Sequence, residues 1–426
     1  MNHLIVIFSL LFLISIGYLL ISFGNFLSDL KFYEKIPYAF GLGVGVIAMQ
    51  MFIYSRLNIS WEAGIIASPW ILVFLLRLYN SKFKLMKFKF KASKIAPYQF
   101  ALFVLIVINL LYTFFEAWLR PLSSWDGWAI WLLKAKMFFI DGFVNPQVYH
   151  LLRENYPYVI NLASTFLFSA LGEADDRAVL LLFYSFYFFL IASFFFTLKK
   201  EIGLKKALFF TFLLSSTQNL IRHGGRFEAG YADLALGFYI FADFTLLLRF
   251  IKSRAYQDLI LLSIFLGITG LIKEEGLVFA LISQAVLTYY ILAKFKNFKL
   301  FLVSLLCVIP ILDWQLYKIL NGLSYSLYAN SAFHPERILP IFIEILKEVI
   351  NIRNWNFLWL SFLFGLLIFA KYGKRRLVYM LIGFQVLSYL AVFLISPYEP
   401  SAHVKNVMDR LLLHIAAIAV YSIAAI

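Results

Sequence analysis

The 426 residues are 62% hydrophobic and 14% charged, and aromatic residues alone make up 19%. A soluble domain carries roughly 25% charged and 45–50% apolar residues, so a water-soluble fold is excluded, and a single cysteine, Cys307, excludes an internal disulfide. The net charge of +15 would point to nucleic acid in a soluble protein; among apolar runs it reads as loop charge that sets topology.

Runs near twenty apolar residues recur from end to end, long enough at ~1.5 Å per residue to cross ~30 Å of hydrocarbon. Each must be helical, because lipid offers its backbone no hydrogen-bond partner. In chain order the spans are predicted at 3–23, 38–55, 62–78, 98–118, 178–198, 205–221, 232–250, 257–272, 277–293, 300–320, 355–370, 377–396 and 409–425. The fold class is an all-α polytopic membrane protein of about 13 transmembrane helices. The first run follows only Asn2 and His3, without a basic segment, and is predicted to be a retained span rather than a cleaved signal peptide.

The apolar run 158–171 is too short for a comfortable span and is expected to lie in the interface or to re-enter. If it does not cross, the basic connectors all fall on one face: Lys31/Lys35, Arg77 with the lysines from 82 to 94, and Lys199/Lys200/Lys205/Lys206. Arg249/Lys252/Arg254, Lys294/Lys296/Lys299 and Lys371/Lys374/Arg375/Arg376 complete the set. That face then holds 23 of the 38 Lys and Arg, against only Asp29, Glu34, Glu201 and Asp258. The positive-inside rule makes it cytoplasmic, with the N-terminus outside and the C-terminus inside. Segments 119–177 and 321–354 consequently lie outside, each with an amphipathic stretch, 127–140 and 336–350, predicted to lie as a surface helix on the membrane.

Four polar constellations belong to the outer face. Trp125-Asp126-Gly127-Trp128-Ala129-Ile130-Trp131-Leu132-Leu133-Lys134-Ala135-Lys136 opens the first surface helix. Ser124 or Asp126 would cap it and the tryptophans would be interfacial aromatics; alternatively Asp126 is a surface carboxylate that takes a proton, with Lys134 and Lys136 meeting a phosphate. In the segment from Arg222 to Asp233, Glu228 and Asp233 enter the bilayer, and Arg222 and Arg226 offer forked donors for phosphate. The plain alternative is a water-exposed loop with Asp233 as a helix cap. Lys273-Glu274-Glu275-Gly276 is either a tight outer turn or a phosphate contact with a polar anchor. Asp409-Arg410, just before the last predicted span, either fixes a loop or touches an anionic substrate; adjacent residues point different ways on a helix. Asp243 and Asp313 fall inside spans, and His150, His334 and His414 lack metal-ligand spacing, which favours loop or packing roles.

On these residues the chain resembles the GT-C class of membrane glycosyltransferases, which take sugars from polyprenyl phosphates and include the dolichyl-phosphate-mannose mannosyltransferase-like and aminoarabinose transferase branches. Bacterial members carry a Trp-Asp-x-Trp-x-x-Trp-x-x-Lys-Ala-Lys run, matched here from Trp125 to Lys136. They continue with Asp-Tyr-Pro, here Asn155-Tyr156-Pro157; Tyr-Ala-Asp-Leu-Pro, here Tyr231-Ala232-Asp233-Leu234-Ala235; Lys-Asn-Glu-Gly, here Lys273-Glu274-Glu275-Gly276; and Asp-Arg-Leu-Leu, here Asp409-Arg410-Leu411-Leu412. The matches run in order from about 125 to 412, so residues 1–97 look like an N-terminal addition to a core at 98–426.

The resemblance implies an inverting transfer from a polyprenyl-phosphate sugar to an acceptor, with Asp126 as general base and Asp233 as a second catalytic acid that orients the acceptor or a metal. It implies that Trp125, Trp128, Tyr156, Tyr231, Glu275, Asp409 and Arg410 contact substrate, while Lys134, Lys136, Arg222, Arg226 and Lys273 hold developing phosphate charge. Asn155, where an acid is frequent, leaves a divalent metal undecided, and no other cofactor is implied. The partners are the lipid-linked donor, an acceptor that is lipid, glycan or protein, and the bilayer, without nucleic acid; the setting is a bacterial inner membrane with the site facing outward. A transporter or flippase, and an envelope polysaccharide polymerase or ligase, are the competing classes.

Overall fold

A computed structural model describes residues 1–80, 96–151, 153–323, 332–369 and 373–424. Among them all regular structure is helical. The order is α1 (Asn2–Phe23), α2 (Phe32–Arg56), α3 (Ala63–Asn80), α4 (Pro97–Leu119), then a π-helical turn, Gly127–Trp131, that runs into α5 (Leu132–Asp141). Next come α6 (Pro146–Leu151), α7 (Val159–Leu171), α8 (Asp176–Ser215), α9 (Gln218–Gly225), α10 (Asp233–Ser253), α11 (Tyr256–Thr269) and α12 (Glu274–Tyr289). The last third holds α13 (Phe298–Ser304), α14 (Val308–Leu320), α15 (Ile338–Val349), α16 (Ile352–Trp355), α17 (Leu358–Phe369), α18 (Gly373–Ile395) and α19 (Pro400–Ala424).

Nine helical stretches among the described residues are long and apolar enough to cross a membrane: α1, α2, α4, α8, α10, α12 continued to Phe295, the rod Phe298–Leu320, α18 and α19. The chain is therefore an all-helical, multi-pass membrane protein. The expected spans 62–78, 257–272 and 355–370 are helices whose apolar stretches, Ala63–Arg77, Tyr256–Thr269 and Leu358–Ile368, are shorter than a full crossing. In α11 the charged turn beginning at Lys273 ends the apolar run.

Ion pairs identify one end of the bundle. Asp29, after α1, pairs with Lys200 at 2.9 Å and with Arg249; Lys252 lies 3.4 Å from Glu201, and Arg254 stands 4.5 Å from the Phe295 ring. The basic connectors after α1, α8's first arm, α10 and α12 thus gather together. The lysines from 82 to 94, Lys371 and the side chains of Lys374 and Arg375 lie outside the described residues, as do residues 324–331 of the second outer segment.

At the opposite end, the Asn2 amide donates to Glu173 at 2.6 Å and Asp175 at 2.8 Å, joining the start of α1 to the start of α8. The short run at 158–171 forms α7, whose first amide, Val159 N, donates to Leu271 O at 3.3 Å while its last residues precede Glu173. Both ends of α7 thus lie at this end, and it does not cross. Val159–Phe168 are all buried against the rest of the protein. Asn161 and Thr165 donate to Trp131 O and Ala135 O, at 2.8 and 3.1 Å, so the first surface helix roofs α7. The second surface helix, α15, buries only Ile341 and exposes Ile338, Leu339 and Phe342.

α8 is a hairpin. Gly203, at φ 80° and ψ 170°, turns the chain, and the Tyr187 hydroxyl donates to Ser215 O at 2.6 Å. A straight helix would hold those residues about 42 Å apart. The expected span 205–221 stops at Ser215, because the hydroxyls of Ser215, Ser216 and Thr217 bond back to Phe212 O and Leu213 O and compete with the ladder. Arg222 therefore rides on the separate helix α9. α19 begins earlier than the predicted 409: Glu399 accepts from the amides of Ser401 and Ala402, at 3.0 and 2.6 Å, and Pro400 fits the first turn. Asp409 and Arg410 are consequently inside the helix rather than before it. α1 and α2 cross at backbone distance, since a Cβ on Gly17 or Gly43 would lie within 2 Å of Ala39 O or Leu13 O.

Candidate functional site

The segment before Gly127 is clamped against the chain before α10. Ser124 Oγ donates to Ala229 O, and Gly127 and Gly230 meet backbone to backbone: a Cβ on Gly230, which sits at φ +103°, would lie 3.1 Å from Gly127 Cα. This contact fixes Asp126 over the mouth of α10. Its carboxylate does not cap the surface helix; it accepts a hydrogen bond from Arg410 Nη1 of α19, and both side chains are about one-fifth exposed.

Asp233, in the first turn of α10, is 1% exposed. Its Oδ1 accepts from Lys273 Nζ at 2.8 Å and meets His414 Nε2 at 2.9 Å. Arg410 and His414 are one turn apart on α19, so a single helix face reaches both acids, and Arg410 also feels the charge of Asp233. Lys273 stands in the turn after α11, 3.4 Å from Glu275 and 5.8 Å from the Tyr156 ring, which stacks on Trp131 at 5.2 Å. Burial alone would push the Lys273 ammonium down, but Asp233 and then Glu275 outweigh it and hold it above its ordinary value. Burial likewise pushes the Tyr156 phenol up to about 12, against the pull of Lys273. The Tyr231 ring lies 5.2 Å from the Arg410 guanidinium.

A polar chain continues inward from Asp233. With its proton on Nε2, His414 accepts at Nδ1 from the Tyr389 hydroxyl at 3.2 Å; Tyr389 in turn accepts from Gln385 Nε2 at 3.0 Å, which also donates to Glu275 O at 3.1 Å. Asp233 Oδ2 and Glu275 Oε2 are buried acceptors without a hydrogen-bond partner among the described residues.

The site thus gathers Asp126, Tyr156, Tyr231, Asp233, Lys273, Glu275 and Arg410 from the expected set. The other expected cations are engaged elsewhere. Lys136 pairs with Asp176, and Arg222 with Glu228 and, at 3.3 Å, Asn354 Oδ1. Arg226 faces Glu116 at 3.8 Å and the Phe227 ring at 4.8 Å. Lys134 is 2% exposed, donates to Arg153 O at 2.8 Å and lies 4.4 Å from the Tyr149 ring; burial pushes its ammonium down to about 7. Asp409 turns away from Arg410's partner toward Arg222, at 4.0 Å. Trp125 and Trp128 are 68% and 58% exposed with ring centres 5.6 Å apart, as interfacial rings would be. Asp313 pairs with Arg56, Asp243 accepts from Thr269, and His150 and His334 contact Glu154 and Glu336.

His414, Tyr389 and Gln385 are members that sequence reasoning missed. The available signal was an ionisable ring four residues after Arg410, on the same face of an apolar helix. A divalent metal does not fit the donor set: the engaged oxygen of Asp233 already faces the Lys273 ammonium and His414, and among the described residues no three His, Cys, Asp or Glu side chains converge as ligands. Compared with family models, curated proteins and solved structures, the chain matches none of them.

Proposed function

We propose that the protein is an inverting glycosyltransferase of GT-C type that moves a sugar from a polyprenyl-phosphate carrier to an acceptor. The observation that carries this reading is the double reach of α19: Arg410 on Asp126 and, one turn later, His414 on Asp233, with Lys273 also on Asp233. Two carboxylates and two cations from four distant segments therefore form one linked cluster, at the end of the bundle opposite the basic connectors. With the basic end cytoplasmic, that cluster faces outward from a bacterial inner membrane, where the donor's sugar projects into water.

The reaction needs a base and a place for phosphate charge. The acceptor O–H or N–H attacks the anomeric carbon; Asp126 takes the proton as the new bond forms. The bond from C1 to the phosphate oxygen breaks, and its electron pair leaves with the polyprenyl phosphate. Arg410 moves from Asp126 to the phosphate as donor binds, which frees the carboxylate, and Lys273 adds the second cation. The unpartnered oxygens of Asp233 and Glu275 suit sugar hydroxyl donors. No step requires Lys134, Lys136, Arg222 or Arg226.

Washed membranes given a labelled polyprenyl-phosphate hexose test this. The native protein transfers label to an endogenous acceptor, and Asp126→Asn abolishes transfer at unchanged abundance; transfer surviving in the variant refutes the assignment. A second reading, a transporter, draws on Asp243, buried mid-way along α10 with one oxygen lacking a hydrogen-bond partner among the described residues, and on a cavity of about 1250 Å³ at the basic end that reaches Thr245. Counterflow of a labelled solute in proteoliposomes, without sugar transfer, would establish it.

A further inference from the structure

At the basic end three cations have carboxylate partners: Asp29 serves Lys200 and Arg249, Asp258 serves Arg249, and Glu201 serves Lys252. Lys205 and Lys206, just past the turn at Gly203, differ. Both are exposed, and among the described residues neither has a carboxylate within ion-pair distance; Lys205 lies 5.4 Å from the Tyr98 ring. They border a groove of about 890 Å³ between α4, the second arm of α8 and α17, walled by Leu102, Phe209, Phe210, Leu360 and Phe364.

We propose that this groove binds an anionic phospholipid of the leaflet at the basic end, with an acyl chain along the phenylalanines and the phosphate on Lys205 and Lys206. The volume lies within the ~300–1,000 Å³ of small-molecule sites. Along α17 the groove runs from Leu360 to Gly365, about 8 Å of helix rise, which stays within one leaflet of a ~30 Å hydrocarbon core. Two adjacent ammonium groups without acids favour a headgroup of net negative charge, and a choline headgroup would bring a third cation beside them. Each lysine near an anionic headgroup contributes roughly fivefold in affinity, so the pair contributes about 25-fold.

Native mass spectrometry of the detergent-purified full chain, titrated with phosphatidylglycerol or with phosphatidylcholine of identical chains, reads this directly. One phosphatidylglycerol should bind about 25-fold more tightly than phosphatidylcholine. Lys205→Gln with Lys206→Gln should erase the difference, whereas Lys199→Gln with Lys296→Gln, exposed lysines at the same end, should keep it. Ser361→Trp, filling the groove, should weaken both lipids. A preference that survives the first double variant, equal binding of the two lipids, or displacement of phosphatidylglycerol by a polyprenyl phosphate at lower concentration would each overturn the proposal.

Discussion

Replacing Lys273 by Met leaves Asp233 buried without its ammonium partner, and the structure sets the size of that effect. At 2.8 Å the pair attracts by about 6 kcal/mol at an effective dielectric near 20, and desolvation of both groups offsets part of that. His414 remains to share the carboxylate but supplies only one donor. The single change should therefore cost about 3–5 kcal/mol, the usual range for orphaning a buried charge. Asp233→Asn should cost a similar amount by leaving Lys273 with Glu275 alone, while Asp233→Asn with Lys273→Met should cost less than the sum by roughly 2–4 kcal/mol. Reversible unfolding of the purified protein in mixed micelles by increasing SDS fraction measures all four forms. Additive single effects, within about 0.5 kcal/mol, would refute the claim that these side chains form one electrostatic unit.

Lys134 predicts a pH dependence. Its folded ammonium titrates near 7 instead of 10.5 because of burial, so the unfolded chain binds more protons between those values and stability falls as pH drops from about 10.5 to about 7. Lys134→Met should remove up to about 5 kcal/mol of penalty at neutral pH, so its melting temperature should exceed that of the native protein at pH 7 and converge toward it near pH 10; parallel curves would refute this. Gly230→Ala forces a side chain into a positive-φ position against Gly127 and should destabilise by about 1–3 kcal/mol, while lowering transfer more than abundance as Asp126 is displaced. Gly43→Val places a side chain against the Leu13 carbonyl and should part α1 from α2 at about 1–3 kcal/mol, read as a lower melting temperature without a changed KM.

The helices and the convergence of Asp126, Asp233 and Lys273 were legible because hydrophobic length and loop charge act locally and additively. Helix ends were less so. The start of α19 depends on Glu399 turning its carboxylate onto two amides, and the break before α9 on three hydroxyls competing with the ladder; both are choices that apolar run length does not record. The site cations failed for a different reason. Lys136 and Arg222 are long side chains whose partners, Asp176 and Glu228, lie within reach only after folding, so charge type alone could not separate them from Lys273. His414 was passed over because its spacing was tested only against metal ligation, whereas its role comes from sharing a helix face with Arg410.

The backbone contact between Gly127 and Gly230 leaves no side chain to act as a spacer between two segments a hundred residues apart. Neither segment can be lengthened, shortened or exchanged with that of another protein on its own without tilting the acid it carries. A chimera that takes both together would preserve the seam, and any drift in one half would have to be answered by the other.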